Sequence, residues 1–261
     1  MQPLLNIAIN AARQAGDIIV RHFDQVDRIK PTAKGHNDFF CEVDVKAEQA
    51  IINTIHKAYP QHGILAEESG LHNPDAETVW IIDPLDGTSN YLHGFPFFSV
   101  SIAIKVNGRI EHGVVFDPIR HECFMASRGR GARLNDRRIR VSKQTQLSDS
   151  LLGTGLPFRD MNLAKRYMPT FEALLGKCAG VRRTGSAALD LAYVASGRLD
   201  GFWEFGLKPW DIAAGTLLIQ ESGGMICDLQ GGENYLNHGD VIAATPKVFK
   251  SLAQILIPAA K

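Results

Sequence analysis

The sequence predicts an α+β protein: an antiparallel sheet dominates its first half, and strands and helices alternate in its second. Three observations carry this. From Phe97 to Val141 the pattern has period two, with Val100, Ile102 and Ile104 alternating with Ser101, Ala103 and Lys105. From Leu4 to Phe23 apolar residues recur at helical spacing. Beyond Leu151 short apolar runs are separated by amphipathic stretches.

The first element is an amphipathic helix over 4–23, with Leu4, Ile7, Ala8, Ala11, Ala15, Ile18, Ile19 and Phe23 on one face. Residues 28–41 read as irregular, broken by Pro31, Gly35, His36 and Asn37. Asp44 stands where an N-cap belongs, before a helix from Val45 to about Tyr59 that Pro60 ends. A strand over Gly63–Ala66 runs into Glu67-Glu68-Ser69, and another over Val79–Ile82 runs into Asp83. The period-two region divides into strands near 100–104, 110–116, 122–126, 132–135 and 138–141, and Asn107-Gly108 turns the first into the second. This is an antiparallel meander, not a parallel nucleotide-binding sheet. The second half supplies strands near 151–155, 181–183, 201–204, 224–228 and 240–244. Its helices fit 161–175, 186–196, 210–221 and 246–256. A soft boundary near 144–150 separates an N-terminal half, 1–145, from a C-terminal half, 146–261. The two are expected to form one compact unit.

The 261 residues carry 28 basic and 28 acidic side chains, so no global field draws the chain to nucleic acid or anionic membranes. Its four cysteines, Cys41, Cys123, Cys178 and Cys227, have no paired spacing. Free thiols in a reducing cytosol are expected, rather than a zinc site or a disulfide framework. The N-terminus lacks the pattern of a signal peptide. No stretch approaches the roughly 20 apolar residues of a membrane span. A soluble, cytoplasmic protein with no membrane partner is expected.

The chemistry concentrates in Trp80-Ile81-Ile82-Asp83-Pro84-Leu85-Asp86-Gly87-Thr88-Ser89-Asn90. On an unbroken strand Asp83 and Asp86 would face opposite sides. Pro84 cannot extend a ladder and Gly87 permits unusual angles, so the chain bends and can bring both carboxylates together. Two bare carboxylates ~4 Å apart repel by about 4 kcal/mol at an effective dielectric near 20. A hard divalent cation offsets that, and oxygen-only ligands favour Mg²⁺ over zinc. A helix starting at Gly87-Thr88 would add an anion site, and Thr88 a hydroxyl to orient water. Each feature has a plainer reading. Asp-Pro and Asp-Gly are common turn pairs, adjacent acids such as Glu67-Glu68 mark solvated loops, and Asp211 could simply cap a helix.

Three blocks together resemble the inositol monophosphatase family: Glu67-Glu68-Ser69, then Trp80 through Thr88, then Trp210-Asp211-Ile212-Ala213-Ala214-Gly215. Arg182-Arg183-Thr184-Gly185-Ser186-Ala187-Ala188-Leu189-Asp190 is similar to the bacterial extragenic-suppressor (SuhB-like) branch. The resemblance implies a layered αβαβα sugar-phosphatase fold, a homodimer, and Mg²⁺-dependent, lithium-sensitive hydrolysis of phosphomonoesters with two or three ions per site. By matching position it implies that Glu67, Asp83 and the Leu85 carbonyl hold one metal and that Asp83, Asp86 and Asp211 hold a second. Glu67 would share any third. Thr88, oriented by Asp44, would position and deprotonate the attacking water, and the N–H groups of Gly87 and Thr88 would hold phosphate. Gly185, Ser186, Ala187 and Glu204 fall where the family meets inositol hydroxyls. Glu204 could also be a strand-end acid facing solvent. Ser89 stands where many relatives have threonine, and it keeps a hydroxyl. Lys34 matches loosely and is left out of the site.

Inositol monophosphate is the expected substrate. Fructose 1,6-bisphosphate and 3′-phosphoadenosine nucleotides are the enzymatic alternatives, because related enzymes share the metal motif. A further alternative is a transcription antitermination factor that binds RNA polymerase and Nus-type factors. Arg128, Arg130, Arg133, Arg137, Arg138 and Arg140 would form its patch for RNA or an acidic partner, with Asp136 expected as the only nearby acid. The plainer reading of these arginines is a charged sheet edge that resists aggregation.

Overall fold

A computed structural model describes residues 2–26, 32–35 and 38–260. The chain runs α1 (Pro3–Phe23), β1 (Thr32–Gly35), β2 (Asp38–Phe40), α2 (Glu42–Ala58), β3 (Gly63–Ala66), β4 (Gly70–His72), β5 (Thr78–Asp86) and α3 (Thr88–Leu92). The meander follows as β6 (Ser99–Val106), β7 (Arg109–Asp117), β8 (Glu122–Ser127), β9 (Ala132–Leu134) and β10 (Arg137–Arg138). The second half is β11 (Leu151–Thr154), α4 (Met161–Leu174), β12 (Gly180–Arg182), α5 (Ala187–Ala195), β13 (Gly201–Glu204), α6 (Pro209–Glu221), β14 (Met225–Cys227), α7 (Tyr235–His238), β15 (Val241–Ala244) and α8 (Pro246–Ala259).

Two large sheets result. The first has the order β10-β9-β8-β7-β6-β5-β3-β4. It is antiparallel throughout except where β3 runs parallel to β5. The second has the order β12-β11-β13-β15-β14, with β12, β11 and β13 parallel and β15 antiparallel to both of its neighbours.

Alternation along the strands sorts side chains into layers. Trp80, Ile82, Val100, Ile102 and Val114 pack with Ala8, Ala11, Ala15, Ala47, Ile51 and Ile55, so α1 and α2 cover one face of the first sheet. Ile81, Ala103 and Val115 point the other way, to the helices α5 and α6. Phe202, Val241 and Ala243 of the second sheet join the same cluster, which therefore draws on both halves of the chain. Trp203, Ile242 and Ala244 face outward to Tyr167, Leu174, Val248 and Leu252, which places α4 and α8 on the far side. The outcome is five layers, αβαβα, in agreement with the expected class. Burying each large apolar side chain here contributes about 1.5–3 kcal/mol.

The Asn107-Gly108 turn has positive φ at both residues, 49° and 81°, the geometry of a two-residue type I′ hairpin. At Gly113 of β7 the sheet comes very close to α6. An added Cβ would stand 2.9 Å from the Ala214 carbonyl oxygen and 3.0 Å from its Cα.

Several boundaries differ from expectation. The stretch read as irregular holds the hairpin β1–β2, whose strands are too short to show alternation; residues 28–31 and 36–37 of that stretch lie outside the described residues. Helix α2 begins at Glu42, and Asp44 is its third residue rather than its cap. An acid there reaches back to the cap N–H, so it produces the same local signal. β5 does not stop at Asp83 but continues to Asp86 through an irregularity. β10 is only Arg137–Arg138. Beyond it the chain leaves the sheet, and the Val141 N–H donates to the Ser222 carbonyl at the end of α6.

Candidate metal and phosphate site

The site begins at the irregularity in β5. Asp83 pairs opposite Ser101 and Asp86 opposite Ser99, so three steps on β5 match two on β6. The extra residue is a bulge, the usual place for a proline inside a sheet. It cancels the alternation that would have separated the two acids. The Leu85 N–H donates to Asp83 Oδ1 at 2.9 Å and closes the loop around Pro84. Gly87 then adopts φ 102° and caps α3. A Cβ there would press on the Phe97 carbonyl oxygen at 3.1 Å and the Gly185 carbonyl oxygen at 3.3 Å.

Thr88 opens α3. Its hydroxyl lies 2.9 Å from Asp44 Oδ1 and 3.0 Å from the Leu85 carbonyl oxygen. Asp44 is fully buried, and its other oxygen accepts the N–H and the thiol of Cys41 at 2.9 and 2.8 Å. Burial, first among several influences, pushes the Asp44 carboxyl upward, against the hydrogen bonds that favour its ionised form.

Glu67 follows β3, and its N–H continues the parallel ladder to the Ile82 carbonyl at 3.1 Å. That places it beside Asp83, with which it shares a side-chain hydrogen bond. Asp83 is held well above the usual carboxylate range by burial, then by the charges of Glu67, Asp86 and Asp211. Asp86 Oδ2 accepts the Ser186 hydroxyl at 2.6 Å and the Ala188 N–H at 2.8 Å, so this acid reaches the start of α5. Burial pushes it up to about 6, although those two donors oppose the shift. Asp211 is the third residue of α6 and accepts the Lys208 N–H at 2.6 Å. Burial, then Asp86, pushes it well up. Each of the four acids thus contributes to a shared repulsion.

The second wall is stitched to the first by Asn90, whose Nδ2 donates to the carbonyls of Phe97 and Thr184 at 2.7 and 2.9 Å. This holds Gly185, at φ 92°, against Gly87. Ser186 caps α5 through the Leu189 N–H, and Ala187 is the first residue of that helix. Glu204 ends β13. Burial, then the charges of Asp190 and Asp86, raises it from an ordinary 4.5 to about 8. Below pH 4.5 this acid is protonated in folded and unfolded chains alike. Between 4.5 and 8 the unfolded chain ionises first, so folded stability falls across that window and is flat above it. Discounted for the solvent that Glu204 still meets, the loss is about 2 kcal/mol. Glu204→Gln should therefore match the wild-type melting temperature at pH 4.5 and exceed it by about 4–8 °C at pH 8.5. A gap that stays constant across this range would show that Glu204 does not titrate this way.

All the sequence-predicted residues are accounted for here. Glu67, Asp83, Asp86 and Asp211 influence one another, Asp44 touches Thr88, Ser186 and Ala187 meet Asp86, and Gly185 lies against Gly87. His93 ends α3 as an exposed residue. The arginines need a correction, because Asp136 is not their only acidic neighbour. Arg128 Nε lies 3.6 Å from Glu111, and Glu221 accepts the N–H groups of Gly129 and Gly131. Arg130, Arg133, Arg137, Arg138 and Arg140 are exposed.

Sequence reasoning missed Asp190, Asn90, Gly155, Glu48 and Cys41. Asp190 is buried, accepts the Thr184 hydroxyl at 2.6 Å and has no hydrogen-bond partner for its other oxygen among the described residues. A Cβ at Gly155 would overlap the Glu204 carboxylate, so this glycine makes room for it. A search for acids one helical turn from Asp44 would have found Glu48.

Among the described residues no group of three or more His, Cys, Asp or Glu side chains is already arranged to hold a metal ion. Asp83, Asp86 and Asp211 rest instead on the local donors named above. Their chemistry nonetheless fits a hard cation: the donors are all oxygens, and burial with mutual repulsion disfavours their ionised forms unless positive charge is supplied. No helix among the described residues is long and apolar enough to cross a membrane. All four cysteines are free.

Comparisons with known proteins identify the family and the fold. The sequence model of the inositol monophosphatase family matches residues 1–259. A relative from Pseudomonas aeruginosa named Nus factor SuhB is 51% identical over 263 residues, covering 99% of this chain and 97% of the relative. The crystal structure of extragenic suppressor protein SuhB from Bartonella henselae superposes with a TM-score of 0.94 at 42% identity, covering 98% of both chains. The inositol monophosphatase from Anabaena (Nostoc) sp. PCC 7120 superposes with a TM-score of 0.84 at 38% identity, covering 98% of this chain and 95% of that one. Enzymes of this kind are phosphomonoesterases and are generally Mg²⁺-dependent. By sequence and by fold, the chain belongs to the inositol monophosphatase family.

Proposed function

We propose that this chain hydrolyses inositol monophosphate to inositol and phosphate. The observation that carries the reading is the meeting of four repelling acids with the Thr88–Asp44 pair around one bulge. Glu67, Asp83 and the Leu85 carbonyl would hold one Mg²⁺, and Asp83, Asp86 and Asp211 a second; Glu67 would share any third. Bound there, the ions would lower the pKa of water and neutralise phosphoryl oxygens. The chain's own groups do the rest. Thr88, with its proton directed to Asp44, presents an oxygen lone pair that accepts a proton from water, and Asp44 is placed to receive the hydroxyl's own proton. The N–H groups of Gly87, the cap of α3, and of Thr88, its first residue, lack intrahelical partners and would hold phosphate. Gly185, Ser186, Ala187 and Glu204 would meet the polyol.

A panel of phosphate esters compared by kcat/KM, with and without Mg²⁺ and Li⁺, tests the reading. Inositol monophosphate should lead the panel, only with Mg²⁺, and Li⁺ should inhibit. Preference for fructose 1,6-bisphosphate or a 3′-phosphoadenosine nucleotide would replace the substrate and keep the site. Gly155→Ala sharpens the test. Its methyl displaces the flexible end of Glu204, so KM for inositol monophosphate should rise about tenfold while kcat changes little. An unchanged KM would remove Glu204 from the substrate wall. A homodimer is expected in sedimentation.

A second reading has its own observation, the exposed arginines at the β9–β10 edge. The Pseudomonas relative is named a Nus factor. We propose this edge as a contact for RNA polymerase with Nus-type factors. Substituting Arg133, Arg137 and Arg138 should abolish their co-purification, whereas Asp83→Asn should not.

A further inference from the structure

Helix α2 does more than cover the sheet. Cys41 caps it, and Asp44 and Glu48 lie one helical turn apart on the same buried face, 0% and 3% exposed. Each serves a different arm of the site. Asp44 holds Thr88 with one oxygen and Cys41 with the other, and the Cys41 thiol reaches that oxygen at 2.8 Å. Glu48 divides its carboxylate between two backbone donors of the loop after Glu67. Oε2 accepts the Glu68 N–H and Oε1 accepts the Ser69 N–H, each at 2.9 Å.

Neither arrangement is needed to make a helix. The Cys41 N–H already satisfies the cap through Asp44. The thiol's additional bond leaves Asp44 with one free direction of adjustment fewer. A buried carboxylate whose two oxygens both meet backbone N–H groups is a clamp on that backbone. Turning the Glu67 loop away would strand a charge inside the protein.

We propose that Cys41 and Glu48 are positioning residues: Cys41 sets the Asp44–Thr88 pair, and Glu48 clamps the loop that aims Glu67. The inference rests on the reading of Thr88 and Glu67 as site residues under the proposed function. Burial supports the thiol's role as a donor, because it pushes Cys41 up to about 12 and keeps it protonated.

The two residues should fail in different ways, which a merely structural helix would not do. Cys41→Ala should lower kcat about tenfold with the half-saturating Mg²⁺ concentration unchanged, and Cys41→Ser should restore kcat to within about twofold. Glu48→Gln sets an amide N–H against a backbone N–H. It should raise the half-saturating Mg²⁺ concentration about tenfold and leave kcat at saturating Mg²⁺ within about twofold. Calorimetric titration of Mg²⁺ into the substrate-free proteins should show the same weakening for Glu48→Gln and none for Cys41→Ala. If either variant fails to fold, Cys41→Val (similar shape, no donor) or Glu48→Asp (too short for both N–H groups) carries the comparison. Parallel losses of kcat, Mg²⁺ affinity and melting temperature in both variants would overturn the proposal, as would wild-type values. Thr88→Ala and Asp83→Asn are assayed alongside. If those two retain turnover, the assignment of Thr88 and Asp83 to the site falls. If they lose it while the α2 variants match wild type, only this proposal falls.

Discussion

Asp83→Asn is expected to reduce Mg²⁺-dependent phosphate release about a thousandfold, and Asp211→Asn comparably. The removed charge would serve one or both cations, whose stabilisation of the transition state is worth several kcal/mol, and about 1.4 kcal/mol corresponds to each factor of ten. The same substitution should affect folding in the opposite direction. Without metal, Asp83 is a buried acid repelled by Glu67, Asp86 and Asp211. An asparagine keeps the acceptor for the Leu85 N–H and removes the repulsion. The variant's metal-free melting temperature should therefore exceed that of wild type, and added Mg²⁺ should stabilise it less. Wild-type-like turnover in either variant would sink the metal assignment. Lost turnover with a lowered metal-free melting temperature would instead mark Asp83 as a structural residue.

Gly113→Val should lower the melting temperature by about 6–12 °C. The clash lies against the backbone of Ala214, at its carbonyl oxygen and Cα, so no side-chain rotation relieves it. Overpacking of this kind costs about 3 kcal/mol, and each kcal/mol is about 2–4 °C for a chain of this length. Activity should fall as well, because Ala214 belongs to the helix that begins beside Asp211. Gly113→Val with normal stability would show that α6 can stand further from β7 than the structure places it. Calorimetry and the phosphate-release assay on one preparation separate the two effects.

Much of the fold was legible because the signals are local. The alternation of Trp80, Ile81 and Ile82 reports two covered faces, and the structure covers them with α1 and α2 on one side and α5 and α6 on the other. Asn107-Gly108 specifies its turn through backbone preference alone. Signals that two structures share were misplaced. An acid at the third position of α2 reads like a cap, and a bulge at Pro84 reads like the end of a strand. β1 and β2 were lost because strands of four and three residues hold too little pattern to recognise.

The candidate site divides in the same way. Residue type and spacing in Asp83-Pro84-Leu85-Asp86-Gly87-Thr88 determined that acids, a bend and a hydroxyl would lie together, and the family resemblance added Glu67, Asp211 and the roles of Asp44 and Glu204. What supports those groups was decided only by tertiary structure. Thr88 finds Asp44 across 44 residues, and Asp86 finds Ser186 across 100. Glu48 clamps a loop 20 residues away, and Gly155 leaves space for Glu204. Local preferences act through a residue's own backbone and near neighbours, so they can be read along the chain. Convergence depends on how five layers settle against one another, and a buried acid acquires its partners only when that packing brings distant segments within hydrogen-bond reach.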